Sequence, residues 1–220
     1  MWRDRHGGLK TSFAITIQRW QRMSLKQLQL EDIVLASEAT WRSDILNQLG
    51  IGHRCQSHRY QEPIYTGGSL SDFVKQTALE KARSIQNENR SAIIISADQL
   101  ICLGGEIFYK PGSREKAVVQ LQKLNGKTHQ LICAVAVLFN QKMAVQHELA
   151  TLKMRQLTFA EIQNYVDRDQ PWGCAGSYRI ESLGASLFEA VSVKDPTTII
   201  GLPGNLLLNI LREWGFSNLL

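Results

Sequence analysis

In "SAIIISADQL", residues 91 to 100, an apolar run ends at a single carboxylate, Asp98. A carboxylate at the edge of a buried segment is either tied down or at work. Asp98 therefore reads as a cap at a strand end or as the base of a site whose other parts lie elsewhere in the chain. Ser37, Thr40 and Arg42 follow the apolar stretch 33–36 in "DIVLASEATWRSDIL". There, helix-start amides and hydroxyls favour an anion, and a guanidinium adds a charge-assisted contact. Lys110 stands before Pro111, which holds the lysine backbone in extended or turn geometry and can aim its ammonium at a phosphate. Glu62, ahead of Pro63, offers hard oxygens of the kind magnesium takes. In "GCAGSYRIE" the glycines permit close backbone approach, and Glu181 can accept hydrogen bonds from the N1 and amino edge of a guanine. Each residue also has a plainer reading: Ser37 or Thr40 as a helix cap, Arg42 and Lys110 as solvated surface, Glu62 as a loop carboxylate.

The elements that must position these groups alternate. The segment 33–36 reads as a strand, followed by a polar turn and a helix with Ile45, Leu46 and Leu49 on its inner face and Gly50 as its stop. "SLSDFVKQTALEKARSIQNEN" has apolar and small residues at helical spacing. "SAIIISADQL" is a strand apolar on both faces, as in a covered sheet, with Asp98 at its carboxyl end, where open α/β sheets bind ligands. "SREKAVVQLQKL" predicts a helix closed by Asn125 and Gly126. "THQLICAVAVLFN" and "MAVQHELATLKMRQL" predict an antiparallel hairpin turning near "NQK". "TFAEIQNYVDR" predicts a helix with Thr158 and Glu161 spaced as a capping box. "TTIIGLPGNLLLNILREWG" reads as strand, Gly/Pro turn and closing helix. The expected fold is α/β: a mixed, largely parallel central sheet flanked by helices, in two lobes with a cleft between.

The net charge of +5 is not spread over the chain. Residues 1–30 hold six basic side chains and one acidic one, while from 31 onward 19 basic and 19 acidic residues cancel. A broad basic surface for duplex nucleic acid is therefore not expected. The arginine-rich leader reads as a poorly ordered extension, with Met23 an alternative start and a transit-type signal or a nucleic-acid-binding arm as other readings. The catalytic domain is expected over 31–220. The apolar runs fall short of the roughly 18 residues of a membrane span. Cys55, Cys102, Cys133 and Cys174 lack metal-site spacing and read as reduced thiols of a cytoplasmic protein.

Taken in order, these pieces resemble the Maf family of nucleoside triphosphate pyrophosphatases from about residue 32 to 216. "LASEATWRSDIL" is similar to the family's Leu-Ala-Ser-x-Ser-Pro-x-Arg opening, "SADQ" to its Gly-Ala/Ser-Asp-Thr/Gln strand end, and "YKP" to its Gly-Lys-Pro. "ALEKA", "LNGKTHQ", "CAGSYRIE" and "IIGLP" follow in family order. The resemblance leans toward the branch acting on 7-methyl-GTP: Trp41 stands where other branches have an arginine, with Gln99 after the aspartate, Glu181 in the Ala-Gly turn, and "SLFEAVSVKDPTTIIGLP" downstream. It departs at Ala39, Thr40, Gln61 and Tyr109, where the family has serine, proline, an acid and glycine.

What the resemblance implies is hydrolysis of the α–β phosphoanhydride of a modified nucleotide, 7-methyl-GTP, to the monophosphate and pyrophosphate. Asp98 would be the catalytic base and, with Glu62, hold Mg²⁺ or Mn²⁺. Ser37, Arg42, Lys81 and Lys110 would bind the phosphates, and Trp41, Gln99 and Glu181 would read the base by cation–π and charge-assisted contacts. A cytoplasmic protein, a possible homodimer, and neither a membrane nor a stable nucleic-acid partner are expected. The alternative from the altered turn at Ala39 and Thr40 is an impaired nucleotide-binding relative acting through a partner, in septum formation or cell division.

Overall fold

The computed structural model describes residues 33–216. The expected 1–30 extension lies outside the described residues. A seven-stranded sheet runs in the order β2-β1-β3-β5-β6-β7, with β4 paired to β3 alone. Strand β1 (Ile33–Leu35) lies parallel to both β2 (Arg54–Cys55) and β3 (Ile93–Leu103). Strands β5 (Thr128–Phe139), β6 (Lys142–Met154) and β7 (Phe188–Ser192) each run antiparallel to their neighbour, as does the short β4 (Glu106–Ile107). The sheet is mixed, as the sequence predicts, with its parallel part confined to β2, β1 and β3. The β5–β6 hairpin turns between Phe139 and Lys142, at the predicted place.

Strand β3 does not stop at Asp98, where a strand end was expected. It runs on to Leu103, because Leu100, Ile101 and Cys102 resume the apolar pattern and find a complete ladder on β5. Only its other neighbour ends: β1 pairs with β3 as far as Ile95, and Ala36 closes that ladder by donating to the Ile95 carbonyl at 2.7 Å. Asp98 is thus inside a strand but just past the end of the adjoining parallel one.

Alternation of side chains across the sheet then divides the core. Val34, Ile94, Leu100 and Ile132 face α2 (Leu70–Arg83), which buries Val74, Ala78 and Ala82. On the opposite face, Ile93, Ile95 and Ala97 pack with Ile45 and Leu46 of α1 (Thr40–Gln48) and with Leu207, Ile210 and Leu211 of the C-terminal helix. Ile101 belongs to a second cluster on that face, with Leu121 of α3 (Arg114–Leu124) and Ile162 and Val166 of α4 (Phe159–Asp169). Gln99 falls at the seam between the two clusters.

The helix starts follow the sequence. Ser69 caps α2 by accepting from the Asp72 amide, Ser113 caps α3, and Thr158 with Glu161 forms a reciprocal capping box on α4. One element differs from expectation. "TTII", read as a strand from its β-branched residues, is a short helix, α5 (Thr197–Ile200), followed by α6 (Gly204–Glu213). Local capping decides the matter: Asp195 Oδ1 accepts from both the amide and the hydroxyl of Thr197, at 2.9 and 2.7 Å, which turns the chain before a strand can form.

His129 on β5 is 1% exposed, sits beside Tyr178 and Phe188, and pairs Nε2 with the Tyr178 hydroxyl at 3.0 Å. Burial lowers its pKa from 6.5 to about 4. A depressed folded-state pKa gives stability that is complete above 6.5 and lost as pH falls toward 4. Urea unfolding from pH 7 to pH 4 should show His129→Gln losing about 3 kcal/mol less than the parent across that window. Parallel pH profiles would remove His129 as a source of acid sensitivity.

Candidate active site

A cleft of about 810 Å³ opens at the vacated edge of β3 and along the seam. Ser37, Trp41, Arg42, Glu62, Lys81, Asp98, Gln99, Lys110 and Glu181 all line it, so every residue singled out for a site from the sequence reaches one cavity.

The first wall is the turn leaving β1. Ser37 Oγ accepts from the Ala39 amide at 3.2 Å and from Arg42 Nη1 at 3.1 Å, while Arg42 Nε donates to the Gly201 carbonyl at 2.9 Å. Ser37 thus organises the turn rather than capping α1. Ala39 occupies the cap position and supplies no side-chain acceptor, which leaves the first turn of α1 without a side-chain cap at the cleft. Gly201 stands against this wall at φ +130°, and a Cβ there would come within 3.0 Å of Gln99 Oε1 and 3.2 Å of Trp41 Nε1. Only glycine lets the α5 turn approach Trp41 and Gln99 this closely. Gln99 Nε2 in turn donates to the Ile199 carbonyl at 3.3 Å.

The floor is an ion-paired triad. Lys81 on α2 is 4% exposed, and its ammonium lies 2.6 Å from Asp98 Oδ1 and 2.8 Å from Glu62 Oε1. Asp98 is on the α2 face of β3, so the helix delivers the lysine to it directly. For Glu62, burial on one side acts to raise the carboxyl pKa, but the hydrogen bond and charge of Lys81, with His58 and Lys110, outweigh it and hold Glu62 below its ordinary value. His58 lines the same floor with Nε2 3.6 Å from Glu62 Oε1. Burial and the Lys81 charge lower its pKa, which keeps the ring neutral near pH 7. Sequence reasoning passed over His58; its place four residues before Glu62 was the available signal.

The third wall is the segment 173–181. Glu181 keeps one side open to solvent, yet desolvation by the cleft raises its carboxyl pKa. The segment hangs on Asp169, another residue that sequence reasoning missed, at the end of α4. Its carboxylate accepts from Tyr165 Oη at 2.8 Å, Ser182 Oγ at 2.6 Å and Arg179 Nη2 at 3.0 Å. Burial alone would raise the Asp169 pKa; the hydrogen bonds from Ser182, Arg179 and Tyr165 prevail and lower it. Tyr109, where the resemblance anticipated glycine, ties its loop to a second loop and to α3: its hydroxyl accepts from the Tyr65 amide at 3.0 Å, and its carbonyl accepts from Gln120 Nε2 at 2.9 Å.

Among the described residues no group of three or more His, Cys, Asp and Glu is placed to hold a metal. Two carboxylates do converge, since Asp98 and Glu62 meet at one ammonium. That donor set fits a hard divalent cation drawing its remaining oxygens from water and phosphate.

A family model described as "Maf-like protein" matches residues 32–214. A protein of Idiomarina loihiensis named 7-methyl-GTP pyrophosphatase is 38% identical over 85% of this chain and 96% of its own length. Another of that name, from Xanthomonas axonopodis pv. citri, is 33% identical over 84% of this chain and 97% of its own. An Aquifex aeolicus protein named dTTP/UTP pyrophosphatase is 37% identical over 82% of this chain and 94% of its own. No helix among the described residues is long and apolar enough to cross a membrane.

Removing the Asp169 carboxylate leaves Arg179, Ser182 and Tyr165 without their shared acceptor. Asp169→Ala should cost about 3 kcal/mol in urea unfolding, the lower end for breaking a buried charge pair because Arg179 can turn to solvent. Amide exchange should quicken well beyond that global loss in 174–182, while β3 and β5 follow the global loss alone; equal quickening throughout would mean that Asp169 does not hold this segment locally.

Proposed function

Because the chain belongs to the Maf family, we propose that it is a nucleoside triphosphate pyrophosphatase cleaving the α–β phosphoanhydride of 7-methyl-GTP, with water as the second substrate and the monophosphate and pyrophosphate as products. The observation that carries this reading is the convergence on one cleft of a buried carboxylate, three basic side chains and an open helix start, at the end of a parallel strand.

Each residue then has a task. Asp98 orients the attacking water and takes its proton, being the carboxylate fixed deepest in the floor. Ser37, Arg42, Lys81 and Lys110 offset the charge that gathers on the phosphate oxygens as the anhydride breaks, helped by the amides at the start of α1. Arg42 is pre-aimed by its bonds to Ser37 and Gly201, so little of its freedom remains to be lost. Glu62 and Asp98 would hold Mg²⁺ or Mn²⁺, which when bound polarises phosphoryl oxygens. Ala39 and Thr40 do not interrupt this wall, since the Ser37–Arg42 contact stands without the family's serine and proline.

Base reading falls to Trp41, Gln99 and Glu181. Trp41 offers an aromatic face to a cationic methylated guanine. Glu181, raised in pKa by desolvation, gains most from a cationic partner that accepts its charge. A nucleotide-pool role in the cytoplasm suits four free thiols, of which Cys55 is exposed. A homodimer remains part of the family expectation.

Pyrophosphate release with Mg²⁺ or Mn²⁺ across 7-methyl-GTP, GTP, UTP, dTTP and CTP tests the reaction and the base together. Release from 7-methyl-GTP ahead of the others is expected, and nucleotide binding without release from any of them would overturn the catalytic reading. Asp98→Asn should lose turnover by about 100-fold or more, the usual worth of a general base, while its melting profile stays cooperative. Undiminished release would take the base role away from Asp98. Glu181→Gln should narrow the preference for 7-methyl-GTP over GTP by about tenfold, a charge-assisted contact's share; an unchanged ratio would mean that other groups read the base.

A further inference from the structure

The floor of the cleft already contains a cation, the ammonium of Lys81. It touches the same two carboxylates to which the proposed function gives the divalent metal, at 2.6 Å from Asp98 and 2.8 Å from Glu62. We propose that Lys81 is an interlock: it occupies the metal position in the nucleotide-free protein, and metal enters fully only when a triphosphate draws the ammonium away. This rests on the reading of Glu62 and Asp98 as metal ligands and adds an order of events to it.

The argument is electrostatic. Two carboxylates gathered at one point repel; Glu62 is half exposed, but Asp98 is 6% exposed, so water reaches only one of the pair. The Lys81 charge offsets that repulsion. A divalent ion arriving alone would have to share the carboxylates with an ammonium a hydrogen bond away, or expel it into a buried pocket with no anion to receive it. Lys81 is 4% exposed and held on a helix whose neighbouring turns are packed on the sheet, so its backbone does not retreat. Its four-carbon stem can still swing the head group, and the cleft beyond it is lined by Ser37, Arg42 and Lys110, where phosphate oxygens would lie. A bound triphosphate supplies that receiving anion. By linkage, what nucleotide does for metal, metal does for nucleotide.

One consequence separates this from simple chelation of metal by the nucleotide: removing Lys81 should improve metal binding when no nucleotide is present. The experiment is Mn²⁺ binding to the nucleotide-free full chain, read as loss of the free-ion electron paramagnetic resonance signal. Lys81→Met should bind Mn²⁺ about tenfold more tightly than the parent, within the usual range for a coupling between two ligands. Lys81→Gln, neutral yet able to hydrogen-bond both carboxylates, should show the same direction and serves if the methionine variant does not fold. Adding Glu62→Gln or Asp98→Asn to either variant should abolish the gain. Equal or weaker Mn²⁺ binding by the lysine variants, while Glu62→Gln still weakens it in the parent, would overturn the interlock and leave the metal site standing. Mn²⁺ binding indifferent to both carboxylates in every background would overturn the metal site itself, and the interlock with it.

Discussion

Strand β3 keeps one neighbour and, between β1 and the short β4, lacks the other from Ser96 to Leu100. β1 leaves it after Ile95, whereas β5 accompanies it to Cys102. A strand held on one side only can place polar side chains on its free edge without forfeiting its ladder, and this is where Asp98 and Gln99 stand. Because consecutive strand residues point to opposite faces, the two are sent to different partners: Asp98 toward the lysine of α2, Gln99 toward the α5 turn and Trp41. The cleft wraps around the strand edge because of that split, and the division of the opposite core into two clusters supplies its depth.

Much of this could be read from the chain. Capping residues Ser69, Ser113 and the Thr158–Glu161 pair mark their helices by local chemistry alone, and local chemistry survives folding. The β5–β6 hairpin is legible because its apolar runs are long. Residue type and position suggest Ser37, Arg42, Glu62, Asp98, Lys110 and Glu181, each weakly, whereas Trp41, Lys81 and Gln99 come only with the order of motifs. What escaped was non-local. The continuation of β3 past Asp98 depends on β5, whose paired residues lie 28 to 34 positions away. "TTII" has strand-forming residues, and only the capping by Asp195 makes it a helix.

The same limit explains the missed residues. His58 and Asp169 look like ordinary loop and helix-end polar groups until the fold brings the Lys81 charge to one and Arg179 to the other. Lys81 was placed by family order, but its contact with Asp98 follows from α2 lying over the even-numbered face of β3, and the loop before α2 brings Glu62 to the same ammonium. Helix phase and strand phase must agree for that contact to form.

The 173–181 segment and the floor of Lys81, Asp98 and Glu62 are anchored separately. The first hangs from Asp169 at the end of α4, the second from the β3–α2 contact, and their lining residues belong to different core clusters. A protein built this way can have one rim recut by substitution while the machinery across the cleft keeps its alignment. Selectivity and reactivity would then be inherited as two traits, free to drift at different rates within one scaffold.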